Sequence, residues 1–135
     1  IAGIKEASGD MSYAMKIARC VGPDFALYSG NDDITVPILS IGGSGVISVY
    51  ANVMPAMCHQ IVADWLAGDH ARSLENHLRY LKLMNDLFLE VNPIPVKAAL
   101  NLMGLEAGPM RLPLCEMSPE HTETLRSTLR EAGLL

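Results

Sequence analysis

The chain has 135 residues, enough for one domain with a real core, and half of them are hydrophobic against 19% charged, a balance that suits strands buried on both faces. A formal net charge of -5, a pI near 5.2 and the lack of any Lys/Arg cluster argue against nucleic acid or an anionic membrane as a partner. Cys20, Cys58 and Cys115 are odd in number, far apart and without CxxC spacing, which reads as reduced thiols in a cytoplasmic protein, and no apolar run is long enough to span a membrane.

Ile1-Ala2-Gly3-Ile4-Lys5 reads as a short buried strand that ends in a lysine. A chain that opens directly in a strand, on Ile rather than Met, is expected to be a truncated or processed product. Ser8 or Asp10 then caps a helix to about Cys20, with Met11, Met15 and Ala18 at its apolar positions. Gly22-Pro23-Asp24 turns the chain into a second strand, Phe25 to Ser29. Gly30-Asn31-Asp32-Asp33 ends that strand and caps a short helix through Ile41, which Gly42-Gly43 stops. Pro37 is tolerable there only near the helix start. A third strand follows from Gly45 to Val49.

From Pro55 onward the pattern is helical. Asn52 and Pro55 open a helix with Met57, Ile61, Val62, Trp65 and Leu66 on one side, and Gly68 ends it. Asp69 caps a long helical segment to about Leu89, with Leu74, Leu78, Leu81 and Phe88 as its stripe. Asn92-Pro93-Ile94-Pro95 starts a helix ending near Gly104, and Gly108-Pro109 with Arg111-Leu112-Pro113-Leu114 forms a loop. Ser118 and Pro119 start a last helix that Gly133 closes.

Strand–helix alternation over three units is the signature of a parallel sheet. Three parallel strands cannot close a barrel, and an eight-stranded barrel needs about 250 residues. The fold class expected is therefore α/β: the last three βα units of a (β/α)8 TIM barrel over residues 1–91, followed by a C-terminal helical region over 92–135.

Lys5 is the first candidate for chemistry. In parallel α/β folds, active sites form at the C-terminal ends of the strands. A desolvated lysine there can stay neutral and attack a carbonyl to form a Schiff base. The rival reading is a solvated lysine at a strand end.

Five segments go further. Gly3-Ile4-Lys5-Glu6-Ala7-Ser8-Gly9-Asp10, Tyr28-Ser29-Gly30-Asn31-Asp32, Gly42-Gly43-Ser44-Gly45-Val46-Ile47-Ser48-Val49, Asn92-Pro93-Ile94-Pro95-Val96-Lys97 and Arg111-Leu112-Pro113-Leu114 resemble the dihydrodipicolinate synthase family. That family is the lysine-biosynthesis branch of the pyruvate-dependent, Schiff-base-forming aldolases, and the resemblance runs in register along essentially the whole chain. It implies that Lys5 attacks the keto carbon of pyruvate and that the resulting enamine adds to aspartate semialdehyde. It implies a homotetramer with no cofactor and no metal. Ile47 is expected to approach pyruvate through its backbone carbonyl, its side chain packing in the core, and Gly30 to lie at the substrate. The family's carboxylate-clamp loop, tyrosine proton relay and semialdehyde-orienting arginine have no counterparts here, because they lie on earlier strands. Another pyruvate aldolase, such as a sialic-acid or keto-deoxy-sugar lyase, is the nearer alternative. A non-catalytic half barrel that covers its open sheet edges by self-association is the farther one.

The remaining polar residues read as structural. Gly45, like Gly30, suits either a turn or the close approach of a ligand. Ser29 reads as a strand serine. Glu6 points away from Lys5 and is expected to bond the adjacent loop. Asp32 and Asp33 read as helix caps. His59, His70, His77 and His121 form no ligand set, with His70 and His77 at surface spacing. Lys97 and Arg111 suit salt bridges to the C-terminal helices, and the scattered methionines suit core or interface.

Overall fold

The computed structural model describes residues 1–135. Three parallel strands, β1 (Gly3–Glu6), β2 (Ala26–Ser29) and β3 (Gly45–Val46), pair in the order β1-β2-β3. α1 (Met11–Cys20) and α2 (Thr35–Ser40) form the crossovers. α3 (Pro55–Leu66), α4 (His70–Arg79), α5 (Leu81–Asp86), α6 (Ile94–Leu102) and α7 (Pro119–Glu131) follow. These are βα units of a barrel with helices appended, as the alternation of turn signals and apolar runs requires.

Several caps are where the sequence places them. Asp10 Oδ1 accepts the Ser12 and Tyr13 N–H groups at 2.8 and 3.2 Å, and Ser118 Oγ accepts the His121 N–H at 3.3 Å. Gly42, with φ at 93°, ends α2 in the left-handed conformation, so that the Gly43 N–H reaches back to the Ile38 carbonyl at 2.9 Å.

One face of the sheet is covered. Leu27 packs with Ala14 of α1 and Ile38 of α2, and Ser29 is fully buried on the same side. The main core lies under α3 to α7, where Tyr50, Val53, Ile61, Leu83, Leu87, Ile94, Leu125 and Leu129 form one cluster. That cluster runs across residue 91, joining the barrel units to the last two helices.

Several apolar stripes differ from expectation. In α1 the buried residue is Ala14, and Met15 is 54% exposed. The segment after Asp69 is two helices, α4 and α5, meeting at Tyr80, so no single stripe can run along it. α4 turns Ser73 and His77 inward, and Leu74 and Leu78 face out. The reason is polar: Ser73 Oγ donates to the Ile61 carbonyl at 2.7 Å, and His77 Nε2 lies 3.0 Å from the Asp33 carbonyl. A small side chain and two satisfied hydrogen bonds bring α4 closer to its neighbours than leucines would allow. Leu66 and Phe88 are likewise exposed, with Cys58 and Ile61 of α3 and Leu87 after α5 taking the buried places. His77 is thus a core histidine rather than a surface one.

β3 is shorter than the expected Gly45–Val49 run. Pairing continues by one bond, from the Ile47 N–H to the Ser29 carbonyl at 2.8 Å, before the chain turns at Tyr50–Asn52. Asp32 enforces that turn: its Oδ2 accepts the Val49 and Tyr50 N–H groups at 3.0 and 2.9 Å. Asp32 is therefore not a cap of its own helix but of the turn after β3, and Asp33 acts through its carbonyl on His77.

Candidate active site

The strand register builds the site. Gly3 pairs with Ala26, Lys5 with Tyr28, and Tyr28 with Gly45. Side chains alternate along a strand, so these residues share the face opposite Leu27 and Ser29. Gly3, Lys5, Ala26 and Tyr28, with Ala2, Ile4 and Ile47, line an open cavity of about 330 Å³ at the uncovered side of the sheet. Lys5 ends the row nearest the C-terminal ends of the strands, where α/β folds place chemistry.

Lys5 is exposed in this chain. These 135 residues leave its side chain on the open face of the sheet. Ile47 lines the same cavity, but it sits just past β3 and its side chain is 48% exposed, so it is not the core residue expected. Gly30 has a reason of its own. A Cβ there would collide with the Ala7 Cβ and fall 2.8 Å from the Glu6 carbonyl, and the Gly30 N–H donates to that carbonyl at 2.5 Å. The close approach that demands glycine is to the neighbouring strand end.

Behind Lys5 the backbone is tied down. Glu6 is buried on the helix side and its Oε1 accepts the Ser8 N–H at 2.7 Å, the loop bond expected of it. Ser29 Oγ donates to the Asn31 carbonyl at 2.7 Å and faces away from the cavity. Burial pushes the Tyr50 phenol and the Cys58 thiol above their ordinary ranges, which leaves both neutral and inert. No three His, Cys, Asp or Glu side chains converge to hold a metal, and no helix is long and apolar enough to cross a membrane. Lys97 donates to the Pro109 carbonyl at 2.6 Å instead of forming the expected salt bridge, and Arg111 is exposed and joins none of the ion pairs.

The family model for the dihydrodipicolinate synthetase family matches residues 1–132. The chain belongs to the dihydrodipicolinate synthetase family. A 4-hydroxy-tetrahydrodipicolinate synthase of Thermoanaerobacter pseudethanolicus is 50% identical over all 135 residues, which span 46% of that protein. Among solved structures, a dihydrodipicolinate synthase from Thermotoga maritima superposes with a TM-score of 0.95 at 44% identity, covering all of this chain and 47% of that one. The chloride-inhibited synthase from Acinetobacter baumannii, solved in complex with pyruvate, gives a TM-score of 0.94 at 36% identity, over all of this chain and 46% of that one. The chain therefore spans about half the length of its family relatives, and it carries the fold of that half.

Tyr28 is the residue whose place sequence reading missed. The alternation Ala26-Leu27-Tyr28-Ser29 shows which residues share a face, but only the register puts Tyr28 beside Lys5.

Proposed function

We propose that Lys5 is the Schiff-base nucleophile of a lyase that condenses pyruvate with aspartate semialdehyde to 4-hydroxy-tetrahydrodipicolinate, in the diaminopimelate route to lysine. One observation carries this reading: Lys5 stands at the end of a parallel strand, on the helix-free face, lining an apolar cavity. The names of the relatives support the product, and the pyruvate bound by the Acinetobacter relative supports the first substrate.

The chemistry uses one amine of the chain. The Nζ lone pair forms a C–N bond to the keto carbon of pyruvate, and the two amine protons leave with the carbonyl oxygen as water. A proton then moves from the pyruvate methyl carbon to nitrogen, giving the enamine, whose carbon adds to the semialdehyde aldehyde and leaves an imine on Lys5. The semialdehyde's own amino group then attacks that imine carbon, closing the ring and expelling Lys5 as the free amine. Gly30 and Ile47 are the proposed substrate-contacting positions, Ile47 through its backbone. The parent is read as a cytoplasmic homotetramer. The open sheet face supports a pocket completed by chain beyond these residues, and this chain alone is expected to have little or no synthase activity.

The test is intact mass after pyruvate and borohydride. A reduced pyruvate adduct mapped to Lys5, absent from Lys5→Arg, is the expected result. No adduct in the protein as purified overturns the reading and favours the non-catalytic half barrel. Product analysis with aspartate semialdehyde against sugar acids separates the synthase from other pyruvate aldolases.

A further inference from the structure

We propose that Tyr28 is a positioning residue for Lys5, its ring forming the side wall along which the lysine stem is held for imine formation. The proposal rests on the reading of Lys5 as the nucleophile. Tyr28 is the register partner of Lys5 on the adjacent strand, and both line the same cavity. Paired strands lie about 4.8 Å apart, so two side chains in register on one face stand side by side.

The other neighbours on that face are small. Gly3 and Ala26 form the row before Lys5 and Tyr28, and Gly45 lies on the far flank of Tyr28. A Cβ at Gly45 would lie 3.5 Å from Tyr28 Cε1, an ordinary contact distance, so the ring stands between the β1 and β3 flanks. Among these flanking residues, only Tyr28 carries more than a methyl group. Ile47 lines the cavity from beyond β3, two strands away. A lysine stem has four rotatable carbons, and attack on a carbonyl needs the amine held in one orientation. The half-buried ring supplies a wall on one side of that stem, and the role needs the ring rather than the hydroxyl.

The test is the time course of adduct formation with pyruvate, stopped by borohydride, in the parent, Tyr28→Phe, Tyr28→Leu and Tyr28→Ala. Tyr28→Phe is expected within threefold of the parent. Tyr28→Ala is expected to lower the maximal rate at least tenfold while the final adduct fraction stays near that of the parent, with Tyr28→Leu between them. The pyruvate concentration for half-maximal rate should move less than threefold. A merely structural role would instead reduce the adduct fraction, because misfolded molecules do not react at all. Equal rates in parent and Tyr28→Ala overturn the proposal and leave Lys5 as nucleophile. A large loss in Tyr28→Phe also overturns it, by assigning the effect to the hydroxyl. A parent that forms no adduct overturns the Lys5 reading itself, and this proposal with it.

Discussion

Asp32 and Tyr50 are joined across the end of the sheet: the buried Asp32 Oδ2 accepts the Tyr50 backbone N–H at 2.9 Å. The same oxygen accepts the Val49 N–H at 3.0 Å, so one carboxylate ends β3 and starts the turn beneath it. Replacing Asp32 by Ala strands two backbone donors at a buried site. The expected loss is about 3 kcal/mol, on the order of the cost of leaving such groups unpaired. Denaturant unfolding of Asp32→Ala against Asp32→Asn checks this, since Asn keeps an acceptor oxygen and should recover part of the loss.

His77 should make the chain sensitive to mild acid. Its Nε2 faces the Asp33 carbonyl, so that nitrogen carries the proton and donates, while the buried Nδ1 has no partner. Burial, opposed by the Asp33 carbonyl, lowers the pKa of His77 from its ordinary 6.5. The folded state then binds fewer protons than the unfolded state below that value, so stability falls as pH drops through about 6.5 and under. His77→Gln, which does not titrate, should cost about 1 kcal/mol at pH 8 for the altered hydrogen bond. The difference in melting temperature between parent and His77→Gln should narrow from pH 8 to pH 5. A constant difference would show that the His77 pKa is the same in the folded and unfolded states.

Gly30→Ala should separate the ends of β1 and β2. The added methyl would run into the Ala7 Cβ and meet the Glu6 carbonyl at 2.8 Å, and backbone cannot move aside as a flexible side chain can. A destabilisation of about 2 kcal/mol is expected for such overpacking. Unfolding by urea measures it, and a neutral result would mean that the strand ends are looser than the 2.5 Å bond from Gly30 to Glu6 implies.

Leu125→Ala should weaken the whole chain, not only its last helix. Leu125 is fully buried in the cluster that includes Tyr50, Ile61 and Leu87. A fully buried leucine cut to alanine costs about 2–5 kcal/mol. Because the cluster crosses residue 91, far-ultraviolet and Tyr50-sensitive signals should shift together. Two separate transitions would show that 1–91 and 92–135 unfold independently.

Much of the fold is legible in short stretches of sequence. Gly22-Pro23-Asp24, Gly42-Gly43 and Ser118-Pro119 punctuate the chain locally, because turn and cap chemistry depends on residues a few positions apart. The alternation of short apolar runs with helical segments carries the βα order, and Lys5 at the end of the first run marks the candidate nucleophile. The faces of the helices are harder to read. Leu74 and Leu78 form a good stripe, yet α4 is held by Ser73 and His77, whose partners Ile61 and Asp33 lie on other elements. Asp32 reads as a helix cap from its neighbours, and its actual partners are 17 and 18 residues away.

The order of the βα units, the local caps at Asp10, Asp69 and Ser118 and the strand that presents Lys5 are written in the residues themselves, since these follow from backbone propensity and local hydrogen bonding. Tertiary packing settled the rest: which side of each helix is buried, what Asp32 and His77 hold together, and that Tyr28 stands beside Lys5. Those outcomes depend on the register between strands and on donors and acceptors brought together from distant positions, and neither is encoded in the spacing of residues along one segment.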